Sequence, residues 1–167
     1  MADKYLYNNA GTVTEKAAII TSAGAGDSGK VIALDATGRL DSSFMPVGIG
    51  ADTQVITASE ALAAGDWVNV WNSTGAKVRK ADATTAGKEA HGFVLSAVSS
   101  SASATVYFEG TNTAVTGQTP GVVYLGTTAG LGTNTAPSST GNVVQRIGFA
   151  TSATTVNFQS QLPIVLA

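Results

Sequence analysis

The sequence predicts an all-β fold, a small β-barrel or sandwich preceded by an extended N-terminal arm with a short hairpin, and three observations carry that prediction. From Gln54 onward, apolar and polar residues alternate with period two in short runs. Turn signals separate these runs about every 8 to 12 residues, as in sandwiches and barrels. Before Asp52 the apolar patches are shorter and are broken by Asn8-Asn9, Gly24, Gly26 and Gly29, which leaves no helix of useful length. A chain of 167 residues suffices for one domain with a core plus an ordered arm, and not for two full domains. The expected division is an arm and adaptor hairpin over 1–52 and a β-barrel domain over 53–167.

In the arm, Tyr5-Leu6-Tyr7 and Ala17-Ala18-Ile19-Ile20 are the first apolar patches, the second a single turn or a strand stopped by its flanking glycines. Next comes an adaptor from Gly29 to Pro46. Its Asp35-Ala36-Thr37-Gly38 has the acid first and the glycine last that a type I turn prefers. With 31–34 on one side and Arg39-Leu40 on the other it reads as a short apolar hairpin, and Pro46 reads as its stop. Two strands expose more surface than they bury. The arm is therefore expected to lie against its own C-terminal domain, a sister subunit or another protein.

In the domain, strands are expected at 54–57, 67–71, 76–80, 92–98 and 104–108, and then at 122–125, 143–150, 155–158 and 164–166. Ala64-Gly65-Asp66 and Asn72-Ser73-Thr74-Gly75 supply the glycine or asparagine that tight turns need for positive φ. Within Trp67-Val68-Asn69-Val70-Trp71 the two Trp point to one side and the two Val to the other. The Val side is expected in the core. On the Trp side, rings about 13 Å apart along an ideal strand suit a stacking platform for sugar. The preferred reading is an aromatic surface covered by the arm or by a neighbouring subunit.

Charge excludes several classes of partner. Only 12% of residues are charged and the formal net charge is -2. The one basic cluster, Lys77, Arg79, Lys80 and Lys88, is interrupted by Asp82 and Glu89 and reads as a solvated face, so nucleic acid is not expected. After Glu89 only Glu109 and Arg146 carry charge. A surface of Thr, Ser, Asn and Gln costs little to desolvate against copies of itself, a profile shared by assembly proteins and secreted adhesins. Without cysteine neither disulfides nor thiolate metal sites can form, and the compartment stays open. The start Met1-Ala2-Asp3-Lys4 lacks a secretory pattern and no apolar run reaches membrane-spanning length. These features predict a soluble cytoplasmic product with no membrane partner.

Motifs for chemistry are weak. His91 is the only histidine, in Gly87-Lys88-Glu89-Ala90-His91-Gly92, a turn leading into a strand with no nucleophile-elbow serine beside it. The acids are scattered among turns without a general acid and base pair, and no calcium loop is present. Gly24-Ala25-Gly26-Asp27-Ser28-Gly29-Lys30 evokes a phosphate loop only superficially, because Val31 follows the lysine where Ser or Thr would be needed. No catalytic residue, cofactor or metal is expected, and the chain is not read as an enzyme.

Two segments carry a family resemblance. Gly29-Lys30-Val31-Ile32-Ala33-Leu34-Asp35 with Gly38-Arg39-Leu40-Asp41-Ser42-Ser43 and Pro46 is similar to the linkers near the start of phage head-fibre and tail-fibre proteins, with Arg39 in place of the more usual lysine. The second runs from Ala64-Gly65-Asp66-Trp67-Val68-Asn69-Val70 through Lys77-Val78-Arg79-Lys80-Ala81-Asp82-Ala83, His91-Gly92-Phe93-Val94 and Ala104-Thr105-Val106-Tyr107-Phe108-Glu109-Gly110. It ends with Thr119-Pro120-Gly121, Tyr124-Leu125, Gly130, Pro137, Gly141 and Val144-Gln145-Arg146-Ile147-Gly148. This stretch resembles the small β-barrel of capsid decoration, or cement, proteins and of related fibre-tip domains.

The resemblance implies a virion structural protein made in the host cytoplasm. Such a protein binds outside the mature shell, often as a homotrimer, and braces contacts between major capsid protein subunits. Tyr5, Leu6, Tyr7, Phe44, Met45, Trp67 and Trp71 are the expected partner-interface residues. The alternative is a receptor-binding tail-fibre or spike module, with Trp67, Trp71 and Tyr124 as candidate glycan contacts.

Overall fold

Period-two alternation with frequent glycine breaks yields fourteen short β-strands and two single-turn 3-10 helices among the described residues, 3–45 and 51–167 of this computed structural model. The fold is all-β. The chain divides into two units, Met1–Gly50 and Ala51–Ala167.

In the first unit, β1 (Lys4–Asn9) and β2 (Thr12–Ala17) pair antiparallel. Ala10 at φ 49 and Gly11 at φ 93 form the two-residue link. Paired positive φ values twist a turn to match its strands, and Asn8 Oδ1 accepts from the Gly11 N–H at 2.8 Å. Further on, Ile19 forms a parallel bridge with Ile32. The 3-10 turns lie at Ala25–Asp27 and Ser42–Phe44.

The expected turn at Asp35 forms: the Gly38 N–H donates to the Asp35 carbonyl at 2.9 Å, with Gly38 at φ 75. Its flanks, however, are not strands of one hairpin. The backbone at Val31 and Ala33 bonds to Ile19 instead, with Ile19 N donating to Val31 O at 3.0 Å and Ala33 N to Ile19 O at 2.9 Å. The hairpin of this unit is β1–β2. Pro46, read as the adaptor's stop, lies outside the described residues.

In the second unit, five strands close a barrel in the order β3-β5-β4-β6-β7. They are β3 (Thr53–Ala58), β4 (Trp67–Asn72), β5 (Ala76–Lys80), β6 (Gly92–Phe93) and β7 (Ser103–Tyr107). Only the β3–β5 pairing is parallel. Ile56, Leu62, Val68, Val78, Val94 and Val106 fill the barrel, as alternation on the Val side of β4 predicts.

The remaining strands are β8 (Gly110–Asn112), β9 (Gly121–Leu125), β10 (Gly132–Thr133), β11 (Val143–Val144), β12 (Arg146–Ser152), β13 (Thr155–Phe158) and β14 (Ile164–Val165). Five of them form a sheet in the order β10-β9-β12-β13-β8, while β11 pairs with β14. A second core joins this sheet to the barrel through Trp67, Phe93, Val123, Leu125, Ile147, Val156 and Phe158. Neighbouring residues of β4 thus serve two cores, Val68 inside the barrel and Trp67 beneath the sheet.

Two expected strands change. The run at 92–98 keeps only Gly92–Phe93 in a ladder, and the run at 143–150 splits at Gln145. In β12, Gly148 sits at φ 151 beside a register shift, and a Cβ there would collide with the Asn157 carbonyl.

Candidate partner-binding surface

Hairpin register decides what β1 and β2 present. Tyr5 and Tyr7 share a face with their partners Lys16 and Thr14, and Leu6 lies on the other face with Val13 diagonal to it. Lys16 Nζ stands 4.3 Å from the Tyr7 ring centre. Leu6 is 74% exposed and Val13 63%. Tyr5 is half-buried, and its hydroxyl is covered without a hydrogen-bond partner among the described residues. The two edges of this two-stranded sheet are available for strand addition.

Phe44 is half-buried at the end of the turn Ser42–Phe44, and Met45 beside it is exposed. Asp41 begins that turn by accepting from the Ser43 N–H at 2.9 Å, while the Ser43 hydroxyl accepts from Ser22 N at 2.7 Å. Phe44 also borders a shallow cleft of about 230 Å³ with Ile19, Ile32, Asp27 and Lys30.

Carboxylates set the local shape of this unit. Asp35 Oδ1 accepts from the Thr37 N–H, the Thr37 hydroxyl and the Arg39 N–H at 2.8, 2.7 and 2.9 Å. The Arg39 backbone, followed by Thr37, holds its carboxyl below the usual aspartate range. The Lys30 side chain and then the Ala23 N–H lower Asp27, and Ser43 lowers Asp41 through its side chain first and its backbone second. Exposed Leu34 and Leu40 flank the Asp35 turn. No residue of 3–45 is buried.

Trp67 requires a correction. It is 1% exposed, set edge-on to Phe93 at 5.7 Å and tilted over Phe158 at 5.4 Å between ring centres. Neither a partner nor a sugar can reach it, because the β9–β12–β13 sheet of its own unit covers that side of the strand. Parity along β4 placed it correctly on the side facing away from the barrel core. A second core there was not visible in alternation alone.

Trp71 is partly exposed on the barrel's outer face, with the Arg79 guanidinium 4.5 Å from its ring centre and its indole N–H donating to Ser59 Oγ at 3.3 Å. Tyr124 is half-buried on β9, opposite Arg146. The three aromatics proposed as glycan contacts therefore do not form one platform. The sequence reading also missed exposed Leu162, Ile164 and Val165 at the C-terminal strand, the first of them 92% exposed. Their run without charge was the available signal.

His91 is exposed, and its Nδ1 accepts from the Val70 N–H at 3.1 Å. Among the described residues no three His, Asp or Glu side chains converge as a metal site, and no helix is long and apolar enough to cross a membrane. Comparisons with protein-family models, curated proteins and solved structures returned no match to this chain.

Proposed function

We propose that this chain is a tailed-phage virion structural protein that binds the outer surface of the mature capsid and stabilises contacts between major capsid subunits. The observation that carries the reading is the first unit: a hairpin and carboxylate-held turns with no buried residue among 3–45, yet with Leu6, Val13, Leu34, Leu40 and Met45 exposed. A segment with that surface gains its stabilising burial from other polypeptides. The nearly uncharged second half and the likeness of its motifs to cement proteins support the same reading. The role needs no catalytic group or cofactor. Repetition over a symmetric shell turns modest single contacts into high avidity, and assembly as a homotrimer adds to it.

The test is to mix the full chain with expanded, genome-free capsids of its own phage. Saturable decoration and a higher shell melting temperature are expected. Binding to host cells with no effect on the shell would replace this reading with the fibre-tip one, which has already lost its Trp67 platform to the core.

A further inference from the structure

Four of the chain's nine Lys and Arg fall between Lys77 and Lys88. Two of them are matched: Lys80 Nζ lies 3.5 Å from Asp66 and Lys88 Nζ 3.9 Å from Asp82. Lys77 and Arg79 have no carboxylate within 4.0 Å among the described residues. The nearby acids are otherwise engaged, since Glu89 accepts from the Gly87 N–H at 2.9 Å and Glu60 from the Lys80 N–H at 2.8 Å.

Both unmatched cations stand on the same side of the β4–β5 ladder as Trp71, Lys77 directly opposite it and Arg79 two pairs further along, opposite Asn69. Arg79 is held in place: its Nε donates to Asn69 Oδ1 at 3.0 Å and one terminal nitrogen to the Gly87 carbonyl at 2.7 Å. Asn69 is itself buried and anchored by donating to the Glu89 carbonyl at 2.8 Å. Three of the five guanidinium N–H groups remain for a ligand. A fixed arginine loses little side-chain freedom on binding, and tryptophan and arginine are both enriched among dominant interface residues.

We propose that this outer β4–β5 face docks an acidic polypeptide segment, a carboxylate settling between Lys77 and Arg79 with its aliphatic stem on Trp71. The complementary charge selects the occupant. Two cations are too few to track a phosphate backbone, and the chain as a whole is acidic. A sugar is disfavoured because Arg79 covers one face of the indole and Ser59 takes its N–H. This site belongs to the second unit and does not depend on the virion reading.

A short glutamate homopeptide, titrated into the full chain at low ionic strength, tests it. Saturable quenching of tryptophan emission is expected, arising at Trp71 because Trp67 is shut in its core and out of the ligand's reach, and added salt should reverse it. Arg79→Gln should weaken binding about tenfold or more, the effect of losing one charge-assisted contact, and Lys77→Glu, which puts a like charge against the ligand, by at least as much. Lys77 makes no side-chain hydrogen bond or ion pair among the described residues, so Lys77→Glu keeps the fold and guards against a misfolded Arg79 variant. Lys4→Gln, which like Arg79→Gln removes one positive charge but in the other unit, should leave binding unchanged. No binding by wild type, equal binding by Lys77→Glu, or preference for an acidic oligosaccharide over the peptide would each overturn the proposal.

Discussion

Gln145 shows how one side chain can stand in for a strand. It is buried between β11 and β12, where its Oε1 accepts from the Ala90 N–H at 2.7 Å and its Nε2 donates to the Ala90 carbonyl at 2.9 Å and to Ser160 Oγ at 2.9 Å. The amide supplies both bonds a neighbouring strand would give to buried Ala90. Gln145→Ala leaves the N–H without a partner and the carbonyl with only a long contact to Ser160 at 3.5 Å. An unsatisfied buried group costs about 1–3 kcal/mol, so a loss of about 2 kcal/mol is expected. Urea unfolding followed by circular dichroism should show a lower midpoint at unchanged slope. A midpoint equal to wild type would mean that water or Ser160 replaces the amide.

The Asp35 carboxylate is the counterpart in the first unit, where hydrogen bonds rather than burial hold the turn. Its pKa in the folded chain is lowered, so its contribution is present above the unfolded value, about 3.9, and is lost as pH falls through the folded one. Asp27 and Asp41 shift in the same direction. The turns should hold at neutral pH and loosen only below about pH 4. In an NMR titration, the Thr37 and Arg39 amide signals should move together in acid and not between pH 5 and 8. Asp35→Asn retains an acceptor but loses its charge, and should shift those amides toward random-coil positions at pH 7.

At the scale of elements, all the buried hydrophobic residues among those described lie in 51–167. Deleting residues 1–50 should therefore leave the thermal midpoint of the barrel and sheet within about 2 °C of the full chain, since the described residues of the removed part, 3–45, contribute no core. Scanning calorimetry of both forms checks this, and a large drop would reveal support from the arm. These elements were unevenly legible. Strands β4, β5, β9 and β13 follow from alternation because each sends alternate side chains into a core, β4 into two. Strands β8 and β10 carry almost no apolar residues, GTN and GT, so no alternation exists to read. The β1–β2 hairpin was hidden because neither face is buried, and Ala10 takes positive φ without the usual Asn or Gly. Among the site residues, exposure of Leu6 and Met45 was legible from a patch too small to make a core. The fate of Trp67 depended on a sheet formed more than fifty residues later in the sequence.

For the whole molecule, the two units place opposite demands on their surroundings. Residues 51–167 enclose two cores and hold their own backbone bonds, whereas 3–45 rely on one exposed ladder and a few carboxylate turns. Hydrogen bonds without burial open easily, because opening exposes little apolar surface. In the isolated chain, amide hydrogen exchange should be slow through Val68, Val78, Val123 and Ile147 and fast through Tyr5, Leu6, Tyr7 and Val13. If the proposed virion role holds and other polypeptides complete the arm's hairpin, protection should extend across Lys4–Ala17 in the capsid-bound protein, and the second unit should change little away from its contact face. Exchange measured on free and assembled protein separates the possibilities. On the proposed virion role, fast exchange of Lys4–Ala17 in both states would exclude the arm as the contact and leave the second unit, where Arg79 packs over Trp71 on the outer barrel wall.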